Sequence, residues 1–166
     1  MVNSPLFYVK SSNFEDRMDV NFYNPSYVDS ILFLKGIKDK VRFEEIIDSV
    51  TNGVEVREYV LEGIPYIRVS DLKRGHISSK KIRKIPSDTE MLKRIMLKEG
   101  DLLISRSGSV GIASVVTKKW EGAIISSHVI KIRLKEGINQ KYIEIIFNSD
   151  IGKNQIKRVS TGALVR

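Results

Sequence analysis

The chain has 166 residues, of which 42% are hydrophobic and 29% charged, with no cysteine and only two histidines. That is enough to bury a core, but it excludes disulfides and thiolate metal sites, and His76 and His128 lie too far apart in sequence to suggest a metal cluster. The net charge of +8 is uneven: residues 1–62 carry 7 basic against 11 acidic side chains, residues 63–166 carry 21 against 9, and this asymmetry points to a polyanion-binding surface in the later part.

No apolar run approaches the roughly 20 residues of a bilayer span, and MVNSPLFYVKSSNFEDR lacks the basic start and apolar stretch of a signal peptide. These features, with the absence of cysteine, predict a cytoplasmic protein that avoids membranes. Length, with no internal repeat and no low-complexity linker, predicts one domain over residues 1–166.

In chain order, PSYVDSILFLKGI predicts a short helix starting at Pro25, with Val28, Ile31, Leu32 and Ile37 on one side. VRFEEIIDSV predicts a second helix with Phe43, Ile46, Ile47 and Val50 inward, ended by TNG, where Gly53 can supply a positive φ. Beyond residue 60 short β-branched runs alternate with turns. IPYIRVSDL predicts a strand, and KRGHISSKKIRKI a turn at Gly75 followed by Ile77, Ile82 and Ile85 among basic residues. SDTEMLKRIML predicts a capped helix. DLLIS and ASVVT predict strands on either side of SGSVG, and AIISSHVIKIRL a long strand. QKYIEIIFNSDIGKNQIKRV predicts a helix with Tyr142, Ile145, Ile146 and Ile156 inward and a break at Gly152. The fold class is therefore α+β, with a mostly antiparallel β-sheet core and short helices at the ends.

EGDLLISRSGSVGIASVV tests for a phosphate loop. A P-loop needs lysine and a hydroxyl directly after its last glycine, and a dinucleotide fingerprint needs a helix there. Here Gly111 is followed by Ile112, Ala113 and Ser114, and then by β-branched residues that favour a strand. The stretch is a tight strand connection in which Gly108 and Gly111 permit unusual backbone angles, and Arg106 is its one residue suited to a further role.

IPYIRVSDLKRGHI, EGDLLISRSGSVG, SSHVIKIRL and YIEIIFNSDIGKNQIKRVSTGA, in that order, resemble the target recognition domain of type I restriction-modification specificity subunits, a domain also found at the end of some fused restriction-methylation enzymes. DRMDVNFYNPSYVDSI resembles the entry segment before such domains. The resemblance implies a non-catalytic module that recognises one half of a split site in double-stranded DNA. It further implies two partners. One is a methyltransferase (modification) subunit that carries S-adenosylmethionine, so no cofactor is expected in this chain; the other is a restriction subunit. In the family a Pro-rich strand and a long spacer helix follow STGA. This sequence stops at LVR, so a fragment, or a half-length form that lacks the helical spacer, is expected.

Candidate contact residues lie first in KRGHISSKKIRK, residues 73–84, with six basic and no acidic side chains. Lys73 opens the run as a DNA-contact candidate; Lys80, Lys81 and Lys84 suit phosphates, Ser78 and Ser79 suit phosphate or base edges, and Arg74, His76 and Arg83 suit base edges. Arg106 joins them, as do Lys118 and Lys119 beside Trp120. Lys153, Lys157 and Arg158 form a third basic cluster on a helix.

Catalytic motifs are weaker. Asn24-Pro25-Ser26-Tyr27 is a degenerate form of the amino-methyltransferase tetrad without a cofactor loop, and reads more simply as a helix start. Asp71-Leu72-Lys73, with Asp48, has the residue types of a metal-dependent nuclease, the alternative function. The competing reading of Asp71 is a strand-end turn bonded to backbone amides. Ser107 and Ser127 sit in no nucleophile elbow, and His128 follows Ser127 directly.

Overall fold

The computed structural model describes residues 6–15, 17, 19–87, 92 and 95–160. It divides into two compact units, one formed by the chain up to Lys40 together with the chain from Asp150 onward, the other by Val41–Ser149.

In the first unit, helix α1 (Pro25–Gly36) starts where the proline predicts. Asn24 is its N-cap, and its side chain accepts from the Ser26 amide, which accounts for Asn24-Pro25-Ser26-Tyr27 without catalysis. Helix α3 (Asp150–Val159) packs on α1. Asn154 Nδ2 donates to the Ser26 carbonyl at 3.1 Å and to Ser30 Oγ at 2.9 Å. Arg158 lies 3.7 Å above the Phe22 ring and pairs with Glu15 at 2.7 Å, so this member of the third basic cluster is engaged internally. Lys153 pairs with Asp150. Leu32 and Ile37, expected inward, are exposed, whereas Val28, Ile31 and Leu34 are half-buried.

The second unit is built on a four-stranded antiparallel sheet of β1 (Ile47–Asn52), β9 (Val129–Leu134), β6 (Leu102–Ser105) and β7 (Ala113–Val115), in that spatial order. A second sheet orders β5 (Arg83–Ile85), β2 (Ile64–Ile67) and β8 (Ile124–Ile125); β2 and β5 are antiparallel, β2 and β8 parallel. A small hairpin joins β3 (Leu72–Lys73) to β4 (His76–Ile77) through a turn at Gly75.

All four residues of β6 are buried because the larger sheet has apolar neighbours on both faces. Leu103 and Val129 join Ile67, Leu72, Ile77, Val116, Trp120 and Ile125. Leu102, Ile104, Ile132 and Leu134 join Ile143 of helix α2 (Gln140–Asn148), with Phe43 and Phe147 packed against them.

Strand β7 would otherwise be an open edge, and α2 covers it with side chains. Glu144 Oε1 accepts from the Val115 amide at 2.7 Å. Asn148 donates to the Ala113 carbonyl at 2.9 Å and accepts from its amide at 3.2 Å. Gly75 of the hairpin also donates to the Ala113 carbonyl. Glu144 is 1% exposed, and its second oxygen pairs with Lys141.

Several expectations are corrected. VRFEEIIDSV is not a helix: Phe43–Ile46 form one 3₁₀ turn and β1 follows, because β9 offers a ladder from Ile47↔Leu134 to Asn52↔Ile130, interrupted by a register shift between Ile47 and Ser49, and Val50 is exposed. Gly53 serves close approach rather than positive φ, since a Cβ there would lie 2.2 Å from the Ser126 carbonyl oxygen. AIISSHVIKIRL is two strands, β8 and β9, separated by Ser126-Ser127-His128. The helix over residues 140–159 breaks at Ser149 rather than Gly152, and Tyr142 and Ile145 face solvent while Ile143 and Glu144 are buried. The helix expected over SDTEMLKRIML falls largely outside the described residues. DLLIS and ASVVT are the β6–β7 hairpin as expected, with φ of 65° at Gly108 and 82° at Gly111.

Candidate nucleic-acid interface

The strand registers of the second unit define its two ends. Strands β1 and β6 finish, and β7 and β9 begin, at one end, where Asn52 pairs with Ile130 and Ser105 with Val129. The 106–112 turn and the Ser126–His128 connection therefore lie there. Other segments are tied to the same end. Gly75 donates to Ala113, the first residue of β7, which brings in the hairpin tip with Lys73, Arg74 and His76. Ser126 donates to the carbonyl of Ile67, the last residue of β2. Arg68 follows and donates to the Lys81 carbonyl at 3.3 Å, bringing in the turn with Lys80 and Lys81. Arg83 pairs with Tyr66 near the same end of β2, and Lys84 with Pro65 one step further back.

The expected contact residues thus fall into two groups. Lys73, Arg74, His76, Ser79, Lys80, Lys81, Arg83, Lys84 and Arg106 are exposed on this side, and Ser78 is half-buried with its hydroxyl accepting from the Lys80 amide. Lys118 and Lys119 occupy a 3₁₀ turn after the far end of β7 and before the start of β8. The length of β6, about 13 Å at the usual strand rise, separates that turn from Arg106. Trp120 beside them is a buried core residue, with the Lys119 ammonium 5.2 Å from its ring.

The 106–112 turn is held firmly. Ser105 Oγ donates to the Ser109 carbonyl at 2.5 Å and accepts from the Ile112 amide at 2.9 Å; the Gly111 amide donates to the Ser105 carbonyl. The Arg106 amide donates to the His128 carbonyl at 3.0 Å, and its guanidinium makes one long bond, 3.5 Å, to Asn52 Oδ1.

Asp71 is the test of the nuclease reading. It is buried, and both carboxylate oxygens are engaged by Arg68: Oδ2 accepts from Nε and from the backbone amide, each at 3.0 Å, and Oδ1 accepts from Nη2 at 3.2 Å. These hydrogen bonds push the guanidinium pKa of Arg68 upward. Among the described residues no three His, Cys, Asp or Glu side chains gather as a metal site. Asp71 is the strand-end turn residue, and its neighbour Lys73 points into solvent.

Burial acts elsewhere in this unit. Lys131 is buried, donates to the carbonyls of Ile95 and Met96 at 3.3 and 3.2 Å, and has its pKa lowered chiefly by desolvation. Asp101 is buried against the Arg133 guanidinium at 2.8 Å. Among the described residues no helix is long and apolar enough to cross a membrane.

Sequence reasoning missed Asn52 and His128 at this end. Each is a single polar residue at a strand boundary, and only pairing through β9 brings them beside Arg106.

No family model matches the chain. Solved structures that share its fold include a structure of type I restriction-modification system assembly, with TM-score 0.55, 15% identity and coverage of 85% of this chain and 38% of that one, and the HsdS subunit from Thermoanaerobacter tengcongensis, with TM-score 0.54, 17% identity and coverage of 82% and 37%. The fold is thus that of part of a type I specificity subunit. The EcoKI type I restriction enzyme specificity subunit of Escherichia coli (strain K12) is 31% identical over 121 residues, covering 69% of this chain and 26% of that subunit. In sequence and fold together, the chain is related to part of the type I restriction-modification specificity subunits, and it spans about a quarter of the curated relative's length.

Proposed function

We propose that this chain is a sequence-specific module for double-stranded DNA that directs a restriction-modification complex to one half of a split site. Binding, not catalysis, is its task. The observation that carries the proposal is the gathering of Lys73, Arg74, Lys80, Lys81 and Arg106, exposed and with no ion pair among the described residues, at one end of the second unit. Such cations neutralise phosphates and release counterions. A methyltransferase subunit binding S-adenosylmethionine and a restriction subunit are the proposed partners and would supply the chemistry; the likeness to a specificity subunit supports that assignment.

Fluorescence anisotropy with a labelled duplex, at two salt concentrations, tests the binding. A lone module should bind non-specific duplex with Kd of roughly 10⁻⁴ to 10⁻⁶ M, weakening as salt rises. No binding at low salt, or affinity indifferent to salt, would refute it.

A further inference from the structure

Three adjacent strands, β1, β9 and β6, each place one exposed polar side chain at the same end of the sheet: Asn52 closes β1, His128 precedes β9, and Arg106 follows β6. The Arg106 amide is bonded to the His128 carbonyl, and its guanidinium touches the Asn52 amide oxygen. The three therefore form a cluster on strand ends, supported by the Ser105-locked turn, rather than a set of independent surface residues.

The state of the guanidinium is informative. Elsewhere in the second unit, Arg68 is engaged by Asp71 and Arg133 by Asp101, both through several short bonds. Arg83 lies 5.3 Å from the Tyr59 ring. Arg106 has one bond at the limit of hydrogen-bond length and no carboxylate partner among the described residues. A planar fork of five donors is thus held at its backbone and left unsaturated at its tip. Phosphate binding alone asks only for positive charge, which a lysine on a mobile loop supplies. A fork displayed from a strand end suits an acceptor pair of fixed geometry, such as O6 and N7 of guanine; an asparagine amide has the matching complement for adenine N6 and N7. Positioning on rigid elements is what fine discrimination requires.

The geometry points to Asn52, Arg106 and His128 as a base-reading set for duplex DNA, with Arg106 specifying a guanine, separate from the phosphate-positioning lysines of residues 73–84. This assignment rests on the proposed DNA-binding function. A phosphate contact is the competing role for Arg106, and a lysine would preserve it.

The experiment selects bound molecules from a randomised duplex pool at low salt and sequences them, using the wild-type chain, Arg106→Lys, Arg106→Ala, Asn52→Ala, His128→Ala and Lys80→Ala. Trp120 fluorescence and circular dichroism report on folding. The wild type should enrich a motif containing a guanine. Arg106→Lys should bind the unselected pool within about twofold of wild type yet lose the preference for that guanine, by about 5- to 150-fold. Asn52→Ala and His128→Ala should relax neighbouring positions of the same motif. Lys80→Ala should weaken all sequences alike. If folded Arg106 variants and Asn52→Ala enrich the wild-type motif at full strength, the base-reading assignment is overturned and DNA binding stands. If Arg106→Lys keeps the guanine preference and Arg106→Ala merely weakens all binding, Arg106 is a phosphate contact and the assignment again falls. If the wild type enriches no motif, or selects from an RNA pool instead, the specificity function itself fails and this inference with it.

Discussion

Glu144→Ala removes the carboxylate that covers the β7 edge. Its Oε1 accepts from the Val115 amide at 2.7 Å, and the side chain is 1% exposed. Truncation leaves the amide of half-buried Val115 without its acceptor, at a cost of about 1–3 kcal/mol. The lost pairing with Lys141, whose own side chain is 59% exposed, adds at most a few tenths of a kcal/mol after solvent screening. A net loss of about 1–3 kcal/mol is expected. Glu144→Gln keeps an acceptor for Val115 and should lose about 1 kcal/mol. Urea unfolding followed by Trp120 fluorescence suits the measurement, because Trp120 is the sole tryptophan and lies in the core of this unit. The midpoint should fall in the order wild type, Glu144→Gln, Glu144→Ala, with the slope unchanged. An alanine variant within about 0.5 kcal/mol of wild type would refute the argument, since it would mean that the Val115 amide is satisfied without Glu144.

Gly53→Ala should prevent stable folding of the second unit, because its Cβ would lie 2.2 Å from a backbone oxygen. Gly108→Ala should cost only about 1 kcal/mol, since its Cβ would meet nothing within 4 Å and only the φ of 65° is strained; thermal melts distinguish the two. Lys131→Met should remove a rise in stability with pH. The buried amine titrates below 10.5 in the folded chain, so between its lowered pKa and the ordinary one the unfolded chain holds more protons and stability climbs as pH rises. Paired unfolding curves of wild type and variant at alkaline pH up to 10.5 read this out as a difference in slope between the two, because groups such as Tyr66, whose pKa burial raises, titrate in both. Lys80→Ala, Lys81→Ala and Lys84→Ala should each lower the salt slope of duplex binding by about one unit if each touches a phosphate, measured by anisotropy titrations at several salt concentrations.

The β6–β7 hairpin was legible because its signals are local: β-branched runs on either side of two glycines that both adopt positive φ. Strand β1 was not. Phe43, Ile46, Ile47 and Val50 repeat with helical spacing, and the β9 residues that extend the segment are about 80 positions away, so tertiary pairing overrode periodicity. The face of α2 was misread for a related reason. An inward carboxylate is improbable on composition, yet Glu144 is buried because the unpaired edge of β7 offers it an amide. At the candidate interface the basic segment 73–84 and Arg106 stand out by residue type. Asn52 and His128 do not, because their significance comes from a register that unites residues 52, 106 and 128.

The division of the chain has a consequence for its synthesis. The second unit is one continuous stretch, so every contact within it is available once Ser149 has left the ribosome. Helix α1 is made early, but Asn154 and Arg158, which bond to Ser26, Ser30 and Glu15, are made more than 120 residues later. Helix α1 therefore acquires these neighbours only after the whole second unit has been made. During translation α1 must wait with Ser26 and Ser30 lacking their partner Asn154, so a nascent-chain pause before α3 leaves the α3-facing side of α1 uncovered.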